Sequence, residues 1–593
     1  MRFFIRYKNN LSRYISKNQL LLFLGFMLLG IKPVYSKNIL DLQKYKTQEK
    51  QVLKDNTKIE LINLNPNVGF WYLYKYRKPS QSSGISYHLE LPYPDMKISL
   101  DKKDPGSIII ETKQDTYLCS LIDTSIIELI SKSNKTNNPY TSICEGRVYI
   151  ITKTSGREST KEYVVDFLRR NIWGADTIAA FVKDVFFFDK YLVGSKSSTL
   201  SGKKTNHKKG FPLSAKTQEI SDIATDYLGI SYYKDGELWH PTPPKEDIDP
   251  EREPDDSRTV QAGQWYQTEY DPHVFVSVMK PSLIQESILK SYPKLVNALD
   301  PVENEATSYF IAFDLKTLNI NFKLGTDHPS AEWSTRVQES MIDNPKGPDG
   351  IDSFLPLISS GKVNPAMLSY MVATFTGGFK RNHSAFMWGA LATKNKGSHY
   401  GFMQEGVLFS TLNPELATIY MDTSGDVRMS TWTKDDDKLI PKLKFARQNG
   451  VSLIESVDSS GIPIPGKYVK YWGAGNWSGS EQKKQRALRA GICLQETGSS
   501  KFLIYGYFSS VTPNAMARLF QAYGCKYAMH LDMNALEHTY LALYKIDPKS
   551  NSVSIEHLVQ GMEVLDKKNK DTIIPRFLGM SDNRDFFTIT RKD

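Results

Sequence analysis

Residues 240–257 read HPTPPKEDIDPEREPDDS, and no compact element can run through such a stretch. Proline fixes φ and removes an amide donor, and the crowded charges oppose packing. The segment therefore reads as an exposed linker or long loop, with a domain boundary near residue 260. A second weak stretch, 195–210, is rich in Ser, Lys and Gly and carries Lys203, Lys204, His207, Lys208 and Lys209 in a short loop-like cluster. Residues 196–259 thus form a connecting region between an N-terminal and a C-terminal part. No repeat or heptad pattern crosses it.

The N-terminal 36 residues constrain location. Arg2, Arg6, Lys8, Arg13, Lys17 and Lys32 precede or flank an apolar run from Leu20 to Ile31, and Val34-Tyr35-Ser36 closes the segment with small residues. A basic region, a short apolar region and a small-residue exit describe a secretory signal. The run is shorter than the roughly 20 residues a spanning helix needs. Residues 1–36 are expected to be a signal peptide, and the mature chain to be exported, periplasmic or extracellular, with no later transmembrane span. The formal charge is +10 and the signal holds six basic residues. The remaining excess is too mild and too scattered for nucleic-acid binding, which needs a concentrated basic stripe. The four cysteines Cys119, Cys144, Cys493 and Cys525 permit two disulfides or four buried thiols. No CxxC spacing points to zinc.

The fold class expected is α/β in the broad α+β sense. Residues 37–60 read as a polar, mobile lead-in, and 61–195 as a smaller α+β domain with strands at 107–112 and 147–154 and a helix over 163–191. Residues 260–593 read as a mixed-sheet domain, with strands at 273–279, 308–315, 319–324 and 370–375. A hairpin is expected around residues 497–500. Near the end, Thr512 and Pro513 open a helix whose apolar face is Ala515, Met516, Leu519, Phe520 and Tyr523. Gly524 is placed to end it, and a strand over 526–531 delivers Asp532.

Three segments carry chemistry. Thr376-Gly377-Gly378-Phe379 follows a buried strand, and paired glycines let amides approach an anion. Arg489 opens a strand with a planar fork that matches phosphate. Asp532, Asn534, Glu537 and His538 gather carboxylates, an amide and an imidazole suited to acid–base work. Each segment also has a plain structural reading: a Gly-Gly turn, a surface ion pair, a capped loop. His383 and His399 read as surface or supporting histidines, and Asp435 to Asp437 as a solvated loop. Trp472 and Trp477 read either as a sugar-stacking wall or as core tryptophans.

In combination and order, these segments resemble the phosphodiester glycosidase family, which includes N-acetylglucosamine-1-phosphodiester α-N-acetylglucosaminidase. The family shows Asn-Gly-Gly-Phe where this chain has Thr376 to Phe379. It then has an Arg-led strand with a Gly hairpin, matched by Arg489 to Gly498, and a Pro-initiated helix and strand reaching Leu-Asp-Gly-Gly-Gly-Ser-Ser. Thr512, Pro513, Gly524, Leu531 and Asp532 match; Met533 to His538 replace the glycine-serine half. The side chains of that replacement restrict φ, so it is not expected to copy the glycine loop. The resemblance implies hydrolysis of a sugar-1-phosphodiester in envelope or extracellular glycans, with no cofactor or metal. Arg489 and the Gly377 and Gly378 amides, next to Thr376, would hold phosphate. Asp532 would be the catalytic carboxylate, Glu537 or His538 its acid–base partner, and Asn534 a binding group. The rival reading is a non-catalytic envelope protein that binds a glycan or protein partner through the same fold.

Overall fold

The structure is a computed structural model. It describes residues 37–158 except 94 and 123, the backbone of 197–199, and residues 210–241. It also describes 259–381 except 335, 336, 338 and 345, then 399–472, and 486–592 except 548, 549, 551, 570 and 571. The signal segment, the 163–191 helix, the Lys203 to Lys209 cluster, His383 and Trp477 lie outside these residues.

Strands dominate, at 41% against 15% helix. Every strand pairing among the described residues is antiparallel, where a mixed sheet was expected. The reason lies in one connection. Helix Pro513–Ala522 joins strand Ser500–Val511 to strand Tyr527–Met533, which looks like a parallel crossover in sequence. Strand Ala487–Thr497 sits between them and pairs with both. The crossover therefore skips a strand, and all hydrogen-bonded neighbours stay antiparallel.

Two sheets of the C-terminal part position the candidate site, and a further five-stranded sheet, in the order Val407–Ser410, Phe402–Gln404, Leu443–Gln448, Ala417–Asp422 and Val427–Thr431, packs beside them. The larger has eight strands, in the order Tyr266–Gln267, Val274–Met279, Ser308–Asp314, Ser500–Val511, Ala487–Thr497, Tyr527–Met533, Ser452–Val457 and Pro463–Pro465. The second has five: Leu318–Lys323, Phe586–Arg591, Met371–Thr376, Leu541–Ile546 and Val553–His557. Their inner faces share one apolar core, with the Phe375 ring 5.2 Å from Tyr505. The capped helix is as the sequence predicts: the Thr512 side chain accepts from Asn514 N, and Gly524 closes the end at φ +67°. All ten of its residues are buried. Disulfide Cys493–Cys525 ties the strand under it to the turn that follows it, and Cys119–Cys144 staples the N-terminal part. No helix among the described residues is long and apolar enough to cross a membrane.

The expected lead-in is ordered instead. Ile39–Leu42 forms a capped turn, and Thr47–Val52 is a strand paired with Lys58–Asn63. These open a six-stranded sheet that also contains Trp71–Arg77, Ile85–Glu90, Val148–Ile151 and Tyr140–Ile143. Polar strands 47–52 were misread because an edge strand buries little and shows no alternation. The sheet packs against apolar cores over part of both faces. Ile59, Leu61, Tyr72 and Tyr74 join a local core under the Thr124–Lys135 helix, while Ile62, Leu64, Trp71 and Leu73 enter the main core.

A buried ion cluster locks the two parts together. Lys323 Nζ lies 3.4 Å from both Glu90 Oε1 and Glu405 Oε1, with side chains 7%, 1% and 4% exposed. Trp71 Nε1 and Asn364 Nδ2 donate to Glu90, and Asn321 Nδ2 to Glu405. Burial opposes the Lys323 charge, yet Glu90, Tyr140 and Glu405 outweigh it and raise its pKa. Burial pushes Glu405 above the ordinary carboxylate value, partly offset by Lys323. Lys323→Met would leave Glu90 buried without its cation and is expected to cost about 3–5 kcal/mol of unfolding free energy. Chemical denaturation checks this, and adding Glu90→Gln should recover part of the loss.

Candidate functional site

The site forms where the chain passes from the eight-stranded sheet to the five-stranded one. Strand Tyr527–Met533 runs through Asp532, and residues 534–540 then turn into Leu541–Ile546. Three successive carbonyls of that turn are pinned by side chains from elsewhere. Arg576 Nη1 donates to Glu537 O at 2.7 Å, Thr376 Oγ1 to His538 O at 2.7 Å, and Tyr505 OH to Thr539 O at 2.8 Å. The turn is thereby fixed by both sheets.

Its side chains converge. Asp532 Oδ1 accepts from the Met533 amide at 2.8 Å, and Oδ2 from Arg584 Nη1 at 2.7 Å. His538 Nδ1 lies 2.6 Å from Met533 O, which can only accept, so Nδ1 carries the proton. Its Nε2 lone pair then accepts from Arg584 Nη2 at 2.7 Å. One guanidinium thus holds the carboxylate and the neutral imidazole in a fixed pose. Glu537 Oε1 stands 3.5 Å from His538 Nε2, and Asp532 Oδ1 3.9 Å from Nδ1. His538 and Glu537 keep 19% and 12% side-chain exposure, so the cluster faces outward through them.

Arg584 belongs to a buried polar run, Ser581 to Asp585, just before the last strand. Asp582 takes a two-pronged bond from Arg576, at 2.7 and 3.1 Å. Asp585 binds Arg447 Nε at 2.8 Å and the His328 ring. The main chain here is pressed against glycines. A Cβ at Gly325 would lie 2.2 Å from Asn583 O, and Gly156 and Gly361 crowd the same segment. Sequence reasoning missed Arg576, Asp582, Arg584 and Asp585. A signal existed: five consecutive polar residues, Ser-Asp-Asn-Arg-Asp, abut the apolar run Phe586-Phe587 near the chain's end.

Several expected roles are corrected. Arg489 is fully buried; it donates to Val511 O at 2.9 Å, contacts Met533 Sδ at 3.2 Å and lies over the Trp472 ring. Burial lowers its pKa to about 9. It supports the strand beside the site and is not presented to a ligand there. The Gly377 amide is already bonded to Asp585 O at 2.9 Å, and a Cβ at Gly377 would meet Asp585 Oδ2 at 2.4 Å. The Gly378 Cβ position is likewise filled, by Asn449 Oδ1 at 2.4 Å. These glycines exist to admit an internal carboxylate and amide, where an external phosphate was expected. Thr376 positions the turn. Asn534 adopts φ +82°, so the replaced loop keeps one left-handed residue after all; its amide donates to Leu488 O.

Trp472 is buried, which answers for it the choice between core and sugar wall. His399 is buried beside Asn413 and 3.7 Å from Asp349, a supporting role. Asp435 to Asp437 lie in the capped turn Lys434–Lys442, where Asp436 caps Thr433 and Asp437 accepts from Trp432 Nε1. Among the described residues, one group could hold a metal: His240, Glu269 and Glu556, with ligand atoms within 4.8 Å of one another. It shares no residue with the Asp532 cluster, and Ser231 already bonds both oxygens of Glu556.

Asp585 supplies a pH test. Burial opposes its ionisation, but Arg447 and His328 outweigh it and hold the carboxyl below its usual value. A folded pKa below the unfolded one gives stability that is present above the ordinary Asp value and lost as pH falls through the folded value. Asp585→Asn is therefore expected to lower stability at neutral pH and to flatten the acid limb of a melting-temperature profile below about pH 4. Gly377→Ala is expected to destabilise by about 2 kcal/mol or more through the same contact, read by the same melt.

No family model matches the chain, and no curated protein sequence matches it. Among solved structures the chain is similar to a hypothetical protein from Synechocystis, at 9% identity and a TM-score of 0.27, over 92% of this chain and 99% of that one.

Proposed function

We propose that the chain is an exported, glycosidase-like hydrolase that cleaves a sugar-1-phosphodiester in envelope or extracellular glycans. The observation that carries this reading is the convergence of Asp532, Glu537 and His538 at one sheet-to-sheet turn, with Asp532 and His538 sharing one arginine. Two carboxylates flanking a reacting centre are the usual glycosidase arrangement. The two disulfides fit an oxidising compartment.

In this reading the bond from the anomeric carbon to the phosphate oxygen breaks, and water supplies the new hydroxyl. A phosphate monoester leaves readily as an anion, since its second pKa is about 6. A cation therefore serves it as well as a proton donor. Arg584 is that cation. When a phosphate engages its fork, Asp532 Oδ2 and His538 Nε2 lose their shared donor and become free to act. Asp532 then serves as the catalytic carboxylate, and Glu537 or the released His538 Nε2 handles the proton of the attacking water. The phosphate role assigned to Arg489 by resemblance passes to Arg584.

A second reading has its own support. Asp532 is 6% exposed and sealed by an ion pair. That suits a non-catalytic envelope protein binding a glycan or protein partner.

The test is turnover of a glycosyl-1-phosphodiester by the mature chain. Asp532→Asn is expected to lower kcat by about 10²–10⁴-fold without altering the fold. Arg584→Lys keeps the charge but loses the fork, and should raise KM. Equal turnover by Asp532→Asn and wild type would sink the assignment of Asp532 as the catalytic carboxylate. Glycan binding with no turnover in either would establish the second.

A further inference from the structure

A separate charged cleft lies on the N-terminal sheet. Across four strands, Lys50, Glu60, Lys75 and Ser86 stand directly opposite one another in register. The next residues on that face are Val52, Lys58 and Arg77, also paired in register. Side chains two apart share a face, so these seven form one surface. In the other direction the same face continues to Ile62, Leu73 and His88, which are buried against the C-terminal part. Pro356 also lines the cleft, and Ile358 N donates to His88 Nδ1 at 3.0 Å to hold the Pro356 loop against the sheet. The open cleft has a volume of about 480 Å³.

Its charge is one-sided. Four cations, Lys50, Lys58, Lys75 and Arg77, line it with one carboxylate, Glu60. Lys50 and Lys75 share Glu60 at 3.8 and 3.7 Å. Lys58 and Arg77 have no ion-pair partner among the described residues. Such a cleft concentrates anions. Nucleic acid would also want aromatic faces for its bases. The aromatic side chain at this cleft, Tyr76, is 6% exposed and packs into the core beneath the sheet.

We infer that this cleft binds a phosphate-bearing glycan chain, holding a polymeric substrate by sugar-phosphate units other than the one being cleaved. The inference rests on the proposed activity for the identity of the polymer, but its binding readout does not depend on turnover. Lys58 and Arg77 engage the phosphates, and Lys50 and Lys75 add to the field.

The experiment uses the full mature chain and a fluorescently labelled synthetic oligo(glucosyl phosphate). Neutral dextran and an oligo(dT) of equal charge are comparators, and anisotropy is read across salt concentrations. K58E/R77E is expected to weaken binding at least about tenfold and to reduce the log–log salt slope by about 2. K567E/K568E, an equal charge change on the exposed hairpin strand Lys567–Asn569, should leave affinity within about twofold. Turnover of a monomeric glycosyl phosphodiester should be unchanged in K58E/R77E, while KM for the oligomer rises. Equal affinity of wild type and K58E/R77E would overturn the proposal. So would an equal loss in K567E/K568E, or oligo(dT) binding as tightly as the glycan. Binding that depends on Lys58 and Arg77 without turnover of any phosphodiester would support the cleft and defeat the hydrolase reading.

Discussion

Burial of the charged run Ser581 to Asp585 is the constraint on which the C-terminal part depends. Asp582, Arg584 and Asp585 would each cost several kcal/mol inside a protein if left alone. Each is met by partners from a different stretch of chain: Arg576 for Asp582, Asp532 and His538 for Arg584, Arg447 and His328 for Asp585. The electrostatics therefore specify the arrangement of these segments as firmly as the apolar core does. The glycines that crowd the run are the steric counterpart, because only a residue without Cβ lets two backbones come so near.

This explains why the candidate site is so orderly. The Arg584 fork is set by the buried run, the His538 tautomer by Met533 O, and the turn carbonyls by Arg576, Thr376 and Tyr505. Preorganised dipoles and charges stabilise a transition state without reorganisation cost. The same rigidity would serve a binding protein, and so the chemistry of Asp532 decides between the two readings.

Much of the local structure was legible in the sequence, because it is set by neighbours along the chain. The Thr512 cap, the Gly524 stop, the hairpin at 497–500 and the strands at 308, 319 and 371 all follow from propensity and pattern. The gathering of Asp532, Glu537 and His538 was visible too, since a turn keeps them close. What failed was long-range. Arg489 reads like a ligand-facing arginine until the strand beyond it, carrying Met533, covers it. Gly377 and Gly378 read like an anion cradle until Asp585 and Asn449, from distant segments, fill the space. Arg584 lay in a polar run that pattern reading assigns to solvent. The edge strand Thr47–Val52 was lost for the related reason that its pairing partner, not its own alternation, defines it.

Strand order also sets a timetable. Phe586–Arg591 lies between Leu318–Lys323 and Met371–Thr376, contributing the inner seam of the five-stranded sheet. The ribosome makes it about 210 residues after Met371–Thr376 and about 260 after Leu318–Lys323. Until then both neighbours present unpaired edges, and the arginine that clamps Asp532 is not yet in place. The Asp532 cluster cannot assemble before this strand is made, and loss of Phe586–Arg591 would cut Leu318–Lys323 off from the other three strands of the sheet.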